Sequence, residues 1–278
     1  MKRSRASVVH ATDPQHPWTP HQARSLITVY DLIPLLEPAM LRSWRLDHQL
    51  AYRRYIGQIE SADRIVAISK ATATDLQERL LIAPERIDIV YPLVAAPTPR
   101  RRDPASEPTF LFVGALAPYK QPELALEAFG RYHARLGYGR LRYIGPADAT
   151  QERRLRSLAE RLGLTGAVSM DGRVTEDELE AAYRSATALI STSRVEGFGL
   201  PPVEAALRGV PVIAVETPAA LETLDGLATI VPADPEAIAE AMAEPMDPPE
   251  HGLDATRARY SIGSVSRSLA DSYRRMLD

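Results

Sequence analysis

From residue 109 onward the chain alternates short apolar runs with stretches of helical spacing. Thr109–Val113, Leu141–Ile144, Val168–Met170, Ala188–Ser191, Val210–Val215 and Thr229–Val231 read as strands, several closed by a glycine. Between them, Pro122–Leu136 repeats apolar residues at helical spacing, with proline in its first turn. Glu152–Leu162 is amphipathic and stops before Gly163, where a left-handed cap is easiest. Thr175–Tyr183 opens with the capping-box pattern Thr175-Glu176-Asp177-Glu178, and Pro202–Arg208 and Pro235–Met242 complete the set. Strands alternating with helices predict a parallel sheet covered on both faces, a complete doubly wound domain.

The first part is thinner. Leu26–Tyr30, Ile65–Ile68 and Ile87–Tyr91 read as strands, Leu41–Ile59 and Thr72–Leu81 as helices: half of such a domain. Residues 1–24 hold His10, Pro14, His16, Pro17 and Pro20 and no strong strand. Pro97, Pro99, Pro104 and Pro108 interrupt any helix or central strand, so 97–108 reads as a linker, with Arg100–Arg102 as its solvated charges. Ile262–Leu277 has Val265, Leu269, Tyr273 and Met276 near one face of a last helix. The expected organisation is 1–96, linker 97–108, 109–260 and a terminal helix 261–278.

Composition narrows the class. The 278 residues are 45% hydrophobic and 25% charged, ordinary for a globular protein and unlike a disordered one. With no cysteine, disulfide scaffolds, thiolate zinc sites and cysteine nucleophiles are excluded. The net charge of −3 argues against a general nucleic-acid binder. Residues 1–100 carry a net +3 and the remainder −6, which suits two domains with different partners. No apolar run is long enough to span a bilayer and the start lacks a signal-peptide core, so a cytoplasmic location is expected, with at most peripheral contact at the inner membrane face.

The most specific chemistry is Glu196-Gly197-Phe198-Gly199-Leu200-Pro201-Pro202-Val203-Glu204, between a strand and a helix at the sheet edge where open α/β folds bind ligands. The glycines permit close backbone approach, and the helix start offers amides to an anion. Glu196 and Glu204 would accept hydrogen bonds from sugar or ribose hydroxyls. The alternative is that Glu196 caps the helix and Glu204 faces solvent. A second loop runs from Gly114 to Lys120, which is expected to open the next helix; a cation there opposes the helix dipole and calls for an anion such as phosphate. The turn Asp171-Gly172-Arg173-Val174-Thr175 lies at the same edge and reads as ordinary capping.

Together these segments resemble the retaining, family 4 type of nucleotide-sugar glycosyltransferase, of GT-B fold. The resemblance rests on two glutamates separated by seven residues within EGFGLP, and on FVGALAPYK, DGRVTEDELEAAYRSATALISTS, GVPVIAV, ITVYDLIPL and ADRIVAISKATATDL. It implies a donor cleft between two Rossmann-like domains. Glu204 would hold the donor ribose, and Glu196 with the Gly197 and Phe198 backbone would hold the donor sugar. Gly114 and Lys120 with the Gly199 and Leu200 amides would take the diphosphate, and the Arg173–Val174 backbone would lie near the base. Glu196, Lys120 and Asp31 would be the catalytic residues, acting by electrostatic stabilisation with no firmly assigned nucleophile. No metal or other cofactor is expected beyond the co-substrate. The sequence departs from the family at Ala115, where Arg is frequent, and at Tyr30-Asp31, where His-Asp is frequent.

Family chains normally begin with about three more strands and a glycine-rich acceptor loop. The expectation is that another chain or copy supplies that half, or that the true start lies upstream. The implied function is transfer of a hexose from a nucleoside-diphosphate sugar to a hydroxyl of a glycan, lipid-linked glycan or small aglycone. The alternative is a non-catalytic or split-enzyme subunit that binds the nucleotide sugar. His10, His16 and His21 read as solvated rather than metal-binding. Arg42, Arg45, Arg53 and Arg54 read as a solvated face that an anionic lipid could also meet, and Trp18 and Trp44 as packing or as the lining of an acceptor site.

Overall fold

The computed structural model describes residues 7–12, 23–95, 107–244 and 252–277. The first stretch forms β1 (Val8–Ala11), β2 (Arg24–Val29), α1 (Ile33–Leu36), α2 (Pro38–Ser43), α3 (Leu46–Ser61), β3 (Arg64–Ala67), α4 (Lys70–Leu80) and β4 (Ile87–Ile89). There follow β5 (Thr109–Val113), α5 (Pro122–Leu136), β6 (Arg140–Ile144), α6 (Ala149–Arg161), β7 (Val168–Gly172), α7 (Glu176–Ser185), β8 (Ala188–Ser191), α8 (Leu200–Leu207), β9 (Val212–Val215) and α9 (Pro218–Thr223). The last elements are β10 (Thr229–Val231), α10 (Pro235–Ala243), α11 (Leu253–Arg259) and α12 (Ile262–Leu277). The chain divides into two compact units, Met1–Leu93 with Ala258–Asp278, and Val94–Arg257. Among the described residues, no helix is long and apolar enough to cross a membrane.

The second unit is a six-stranded parallel sheet in the order β10-β9-β8-β5-β6-β7. The chain builds outward from β5 to β7, then returns to the other side of β5 and builds outward again. That reversal is the topological switch point of a doubly wound sheet. Phe110, Leu111 and Phe112 of β5 are all buried, because a central strand covered on both faces must be apolar throughout. α5 and α10 share one face, where Leu126 and Phe129 join Ile238, Ala239 and Met242 in a single core. Thr175 caps α7 in the predicted capping box.

The first unit is a four-stranded parallel sheet whose order β1-β2-β3-β4 follows the chain without reversal. Ile27, Val29, Ile65 and Ala67 point to one face and pack with Tyr55 and Ile59 of α3 and Ala73 and Leu76 of α4. The alternate residues Leu26 and Val66 meet Val265, Leu269, Tyr273 and Met276 of α12, so the helix that follows the second unit covers the other face. Polar contacts pin it there. Asp88 of β4 accepts hydrogen bonds from Arg64 at 2.8 and 3.0 Å and pairs with Arg275 at 2.9 Å. Arg24 donates to the Met276 carbonyl. His10 lies 2.7 Å from the Tyr273 hydroxyl and 2.8 Å from that of Thr28.

Three local expectations are corrected. Residues 8–11 form a strand, because pairing with β2 supplies the hydrogen bonds that four residues cannot supply alone. The expected helix Leu41–Ile59 is two helices, broken where Trp44 and Arg45 turn extended. His10 is not a solvated loop residue but half-buried between β2 and α12. His16, His21, Trp18 and residues 97–106 of the linker lie outside the described residues.

Candidate functional site

The loops that leave β5 and β8 flank the reversal of the second sheet. At the carboxyl edge the ends of β5, β6 and β7 pack backbone to backbone. Gly114 donates its amide to the Ile144 carbonyl at 2.9 Å, and Gly145 to that of Gly172 at 2.7 Å. A Cβ at Gly145, whose φ is +143°, would come within 2.0 Å of the Gly114 carbonyl oxygen, so only glycine fits. The loop after Gly114 makes a tight turn over Pro118–Lys120 and a left-handed step at Gln121 before α5 starts at Pro122. Lys120 therefore precedes the helix rather than opening it.

Lys120 is held by the partner loop. Its Nζ donates to Glu196 Oε1 at 2.5 Å, and both side chains are mostly buried. The Ser193 hydroxyl donates to the same oxygen at 2.6 Å. The Thr192 hydroxyl lies 2.8 Å from the carbonyls of both Lys120 and Gln121, and the Arg194 amide donates to the Tyr119 carbonyl at 2.9 Å. The two loops thus form one backbone-stapled edge with a cation and a carboxylate across the switch point.

Gly199, at φ +82°, turns the chain into α8. The first amides of a helix have no partner within it, and this end carries the positive pole of the dipole. The buried Phe198 ring and the Thr223 hydroxyl, which donates to the Phe198 carbonyl at 3.1 Å, hold the turn. Glu204 lies on α8. Burial pushes its carboxyl up from the usual range, partly offset by the charge of Arg208 and the Tyr183 hydroxyl 3.5 Å away. Arg208 lies over the Tyr183 ring and donates to Glu180 at 2.9 Å, so Glu204 belongs to a braced polar cluster rather than a wet face. Arg173 and Val174 occupy the turn between β7 and α7, two strands from β5, with Arg173 exposed.

Asp31 lies in the first unit, just beyond β2, and accepts the Ile33 amide at 3.0 Å. Among the described residues no group of three or more histidine or acidic side chains is arranged to hold a metal ion.

Comparison with known proteins gives the edge its family. The pattern described as "Glycosyl transferases group 1" matches residues 99–260, more than half the chain, and "Glycosyltransferase Family 4" matches residues 1–96. The chain is a member of the group 1 glycosyl transferases, of family 4 type. This glycosyl transferase is 31% identical over 239 residues to a D-inositol 3-phosphate glycosyltransferase of Acidothermus cellulolyticus, covering 77% of this chain and 52% of the relative. A D-inositol 3-phosphate glycosyltransferase 2 of Catenulispora acidiphila is 28% identical, over 81% of this chain and 60% of its own. The chain thus spans little more than half the length of these relatives.

Among solved structures, it resembles HepE of Anabaena in complex with UDP and glucose, at a TM-score of 0.73 and 16% identity, covering 91% of this chain and 72% of that one. Sucrose-phosphate synthase of Thermosynechococcus elongatus gives 0.70 and 19%, covering 92% and 69%. At these identities the likeness is one of fold, the GT-B type.

Sequence reasoning missed the residues that hold the site. Thr192 and Ser193 sit in the strand-to-loop run and could be suspected from proximity to Glu196. Arg208 stands four positions after Glu204, at the i,i+4 spacing that the sequence does offer, whereas Tyr183 is 21 positions away and no local pattern links it to Glu204.

Proposed function

We propose that this glycosyl transferase moves a hexose from a nucleoside-diphosphate sugar to an acceptor hydroxyl, with retention of anomeric configuration. The Lys120–Glu196 pair across the switch point carries the reading. A lysine so placed next to a helix N-terminus can meet the two charges of a diphosphate, and the carboxylate it now binds is freed to accept sugar hydroxyls. Strands lie about 4.8 Å apart, so the three steps from β7 through β6 and β5 to β8 cover roughly 14 Å. That length suits a nucleotide sugar laid along the edge, with the base by Arg173 and Val174, the diphosphate by Gly114, Lys120 and the Gly199 and Leu200 amides, and the sugar by Glu196, Gly197 and Phe198. Glu204, braced by Tyr183 and Arg208, takes the ribose. Preorganised donors stabilise the charge that develops as the diphosphate leaves, and no metal is invoked. Asp31 serves the acceptor side. The relatives bearing glycosyltransferase names and the UDP-bound HepE support this class of donor.

The test is calorimetric titration with UDP, GDP, ADP and dTDP, followed by NMR of the product formed from the matching sugar donor. Selective binding lost in Glu204→Gln, and a product with the donor's anomeric configuration, are the expected results. Binding of every nucleotide equally, or an inverted product, would sink the reading.

A further inference from the structure

Lys120 reaches Glu196 along a defined path. A Cβ placed on Gly114 would stand 3.7 Å from Cε and 3.8 Å from Cδ and Nζ of Lys120, so the lysine stem lies across the Gly114 backbone. Glu196, which also accepts the Ser193 hydroxyl, fixes the far end of that stem. The near end depends on the backbone of Lys120 and Gln121, and that backbone is in an unfavourable conformation. Gln121 sits at φ 48° and ψ 53°, the left-handed region in which a Cβ crowds the following carbonyl. Pro122 comes next, and the residue before a proline is pressed toward extended backbone. Left to its local preferences, the chain would abandon this step and Lys120 would swing with it.

Thr192 holds the step. Its hydroxyl lies 2.8 Å from the carbonyl oxygens of Lys120 and Gln121 alike, and the residue is wholly buried. A hydroxyl has one proton to donate, so two acceptors at that distance share it. Helical dihedrals of either hand turn successive carbonyls to one side, whereas extended dihedrals turn them apart. The shared proton therefore favours the left-handed form of the loop over the extended one. The Gln121 carbonyl also accepts the Leu124 amide at 3.0 Å, which ties the same step to the first turn of α5. Because Thr192 directly follows β8, this clasp joins the two loops on either side of the reversal.

We propose that Thr192 is a positioning residue of this site. By holding Gln121 left-handed it sets where the Lys120 ammonium stands, and through that cation it sets the preference for a nucleoside diphosphate over the monophosphate. A fixed charge stabilises phosphate without reorganising, and a shift of about 1 Å in a positioned group costs up to about 100-fold. The effect on the nucleotide rests on the donor reading of this edge; the hold on Lys120 does not.

Two measurements on the full chain separate these parts. Lys2, Lys70 and Lys120 are the lysines of the chain, so NMR of Cε-labelled lysine gives signals that substitution can assign. In Thr192→Val the Lys120 signal moves toward that of a solvated lysine. In Thr192→Ser, which keeps the hydroxyl, it stays in place. Calorimetry with whichever of UDP, GDP, ADP and dTDP binds best, and with its monophosphate, reads the consequence. The diphosphate preference shrinks roughly 10–100-fold in Thr192→Val and is retained in Thr192→Ser. It returns when Gln121→Gly is added to Thr192→Val, because glycine takes the left-handed step without a clasp. An unchanged diphosphate preference in Thr192→Val, or an equal loss of mono- and diphosphate binding, overturns the proposal. So does a failure of Gln121→Gly to restore the preference, or a Thr192→Val chain that stays unfolded with Gln121→Gly present, since the hydroxyl would then serve the fold in general. A Lys120 signal that follows Thr192 in a chain that binds no nucleotide upholds the clasp, and removes the donor reading together with the preference built on it.

Discussion

The two parallel sheets differ in one respect that governs much else. In the second unit the strand order reverses beside β5, while the four described strands of the first lie in chain order. A sheet that reverses sends its connections to both faces and opens a crevice at the carboxyl ends of the two strands at the reversal. Lys120 and Glu196 sit on the loops leaving those two strands. A sheet that never reverses packs its own helices on one face and leaves the other bare. The first unit covers that face with α12, and a cavity of about 520 Å³ lined by Tyr30, Asp31, Trp44 and Tyr52 lies beside the α2–α3 break. Charge is handled where topology makes an opening; aromatic surface is gathered beside a local break.

The strongest challenge to this contrast is Lys120→Met. Nucleotide affinity and kcat/KM should fall by about 100–1,000-fold, the cost of removing one preorganised charge donor, while Asp31→Asn leaves nucleotide affinity unchanged. Equal losses of affinity in both would erase the distinction. Next in size is Gly145→Ala, which forces a Cβ against the Gly114 carbonyl; a loss of about 3 kcal/mol or more is expected in urea unfolding.

Met276→Ala tests the borrowed cover of the first sheet. Its buried side chain should cost about 2–3 kcal/mol, and proteolysis should then begin in residues of the first unit. The smallest effect concerns pH. Burial lowers the His10 pKa, so the folded state binds its proton less readily than the unfolded chain. That contribution is intact above the ordinary histidine range and is lost as pH falls through the unfolded value toward the folded one. The urea midpoint of the first unit should fall between pH 7.5 and 5.5, and His10→Gln should flatten that dependence.

The second unit was legible because its signals are local. Glycines end strands, Thr175 to Glu178 spells a capping box, and β5 runs apolar from Phe110 to Val113 because both its faces are covered. The EGFGLP loop could be placed at a strand-to-helix junction for the same reason. The first unit hides more. β1 has four residues and exists through its pairing with β2, and the break at Trp44 answers to Tyr52, eight positions on. At the site, Glu196 and Lys120 stand in recognisable loops, but their direct pairing joins positions 76 apart and needed the sheet order to be seen. α9 was overlooked although Thr217 caps it and Pro218 starts it, a signal that six residues made easy to read as loop.

The covering of the first sheet by α12 also sets an order of events during synthesis. Domains generally fold as units while the chain emerges. Here β1 to β4 leave the ribosome before the second unit, yet Leu26 and Val66 cannot be sealed until the entire second unit has been made and Val265 to Met276 have followed it. The second unit can mature as an insertion while the first waits half-finished. A ribosome stalled before residue 262 would thus release a chain with its second sheet assembled and its first still open, a species for chaperones and proteases to sort.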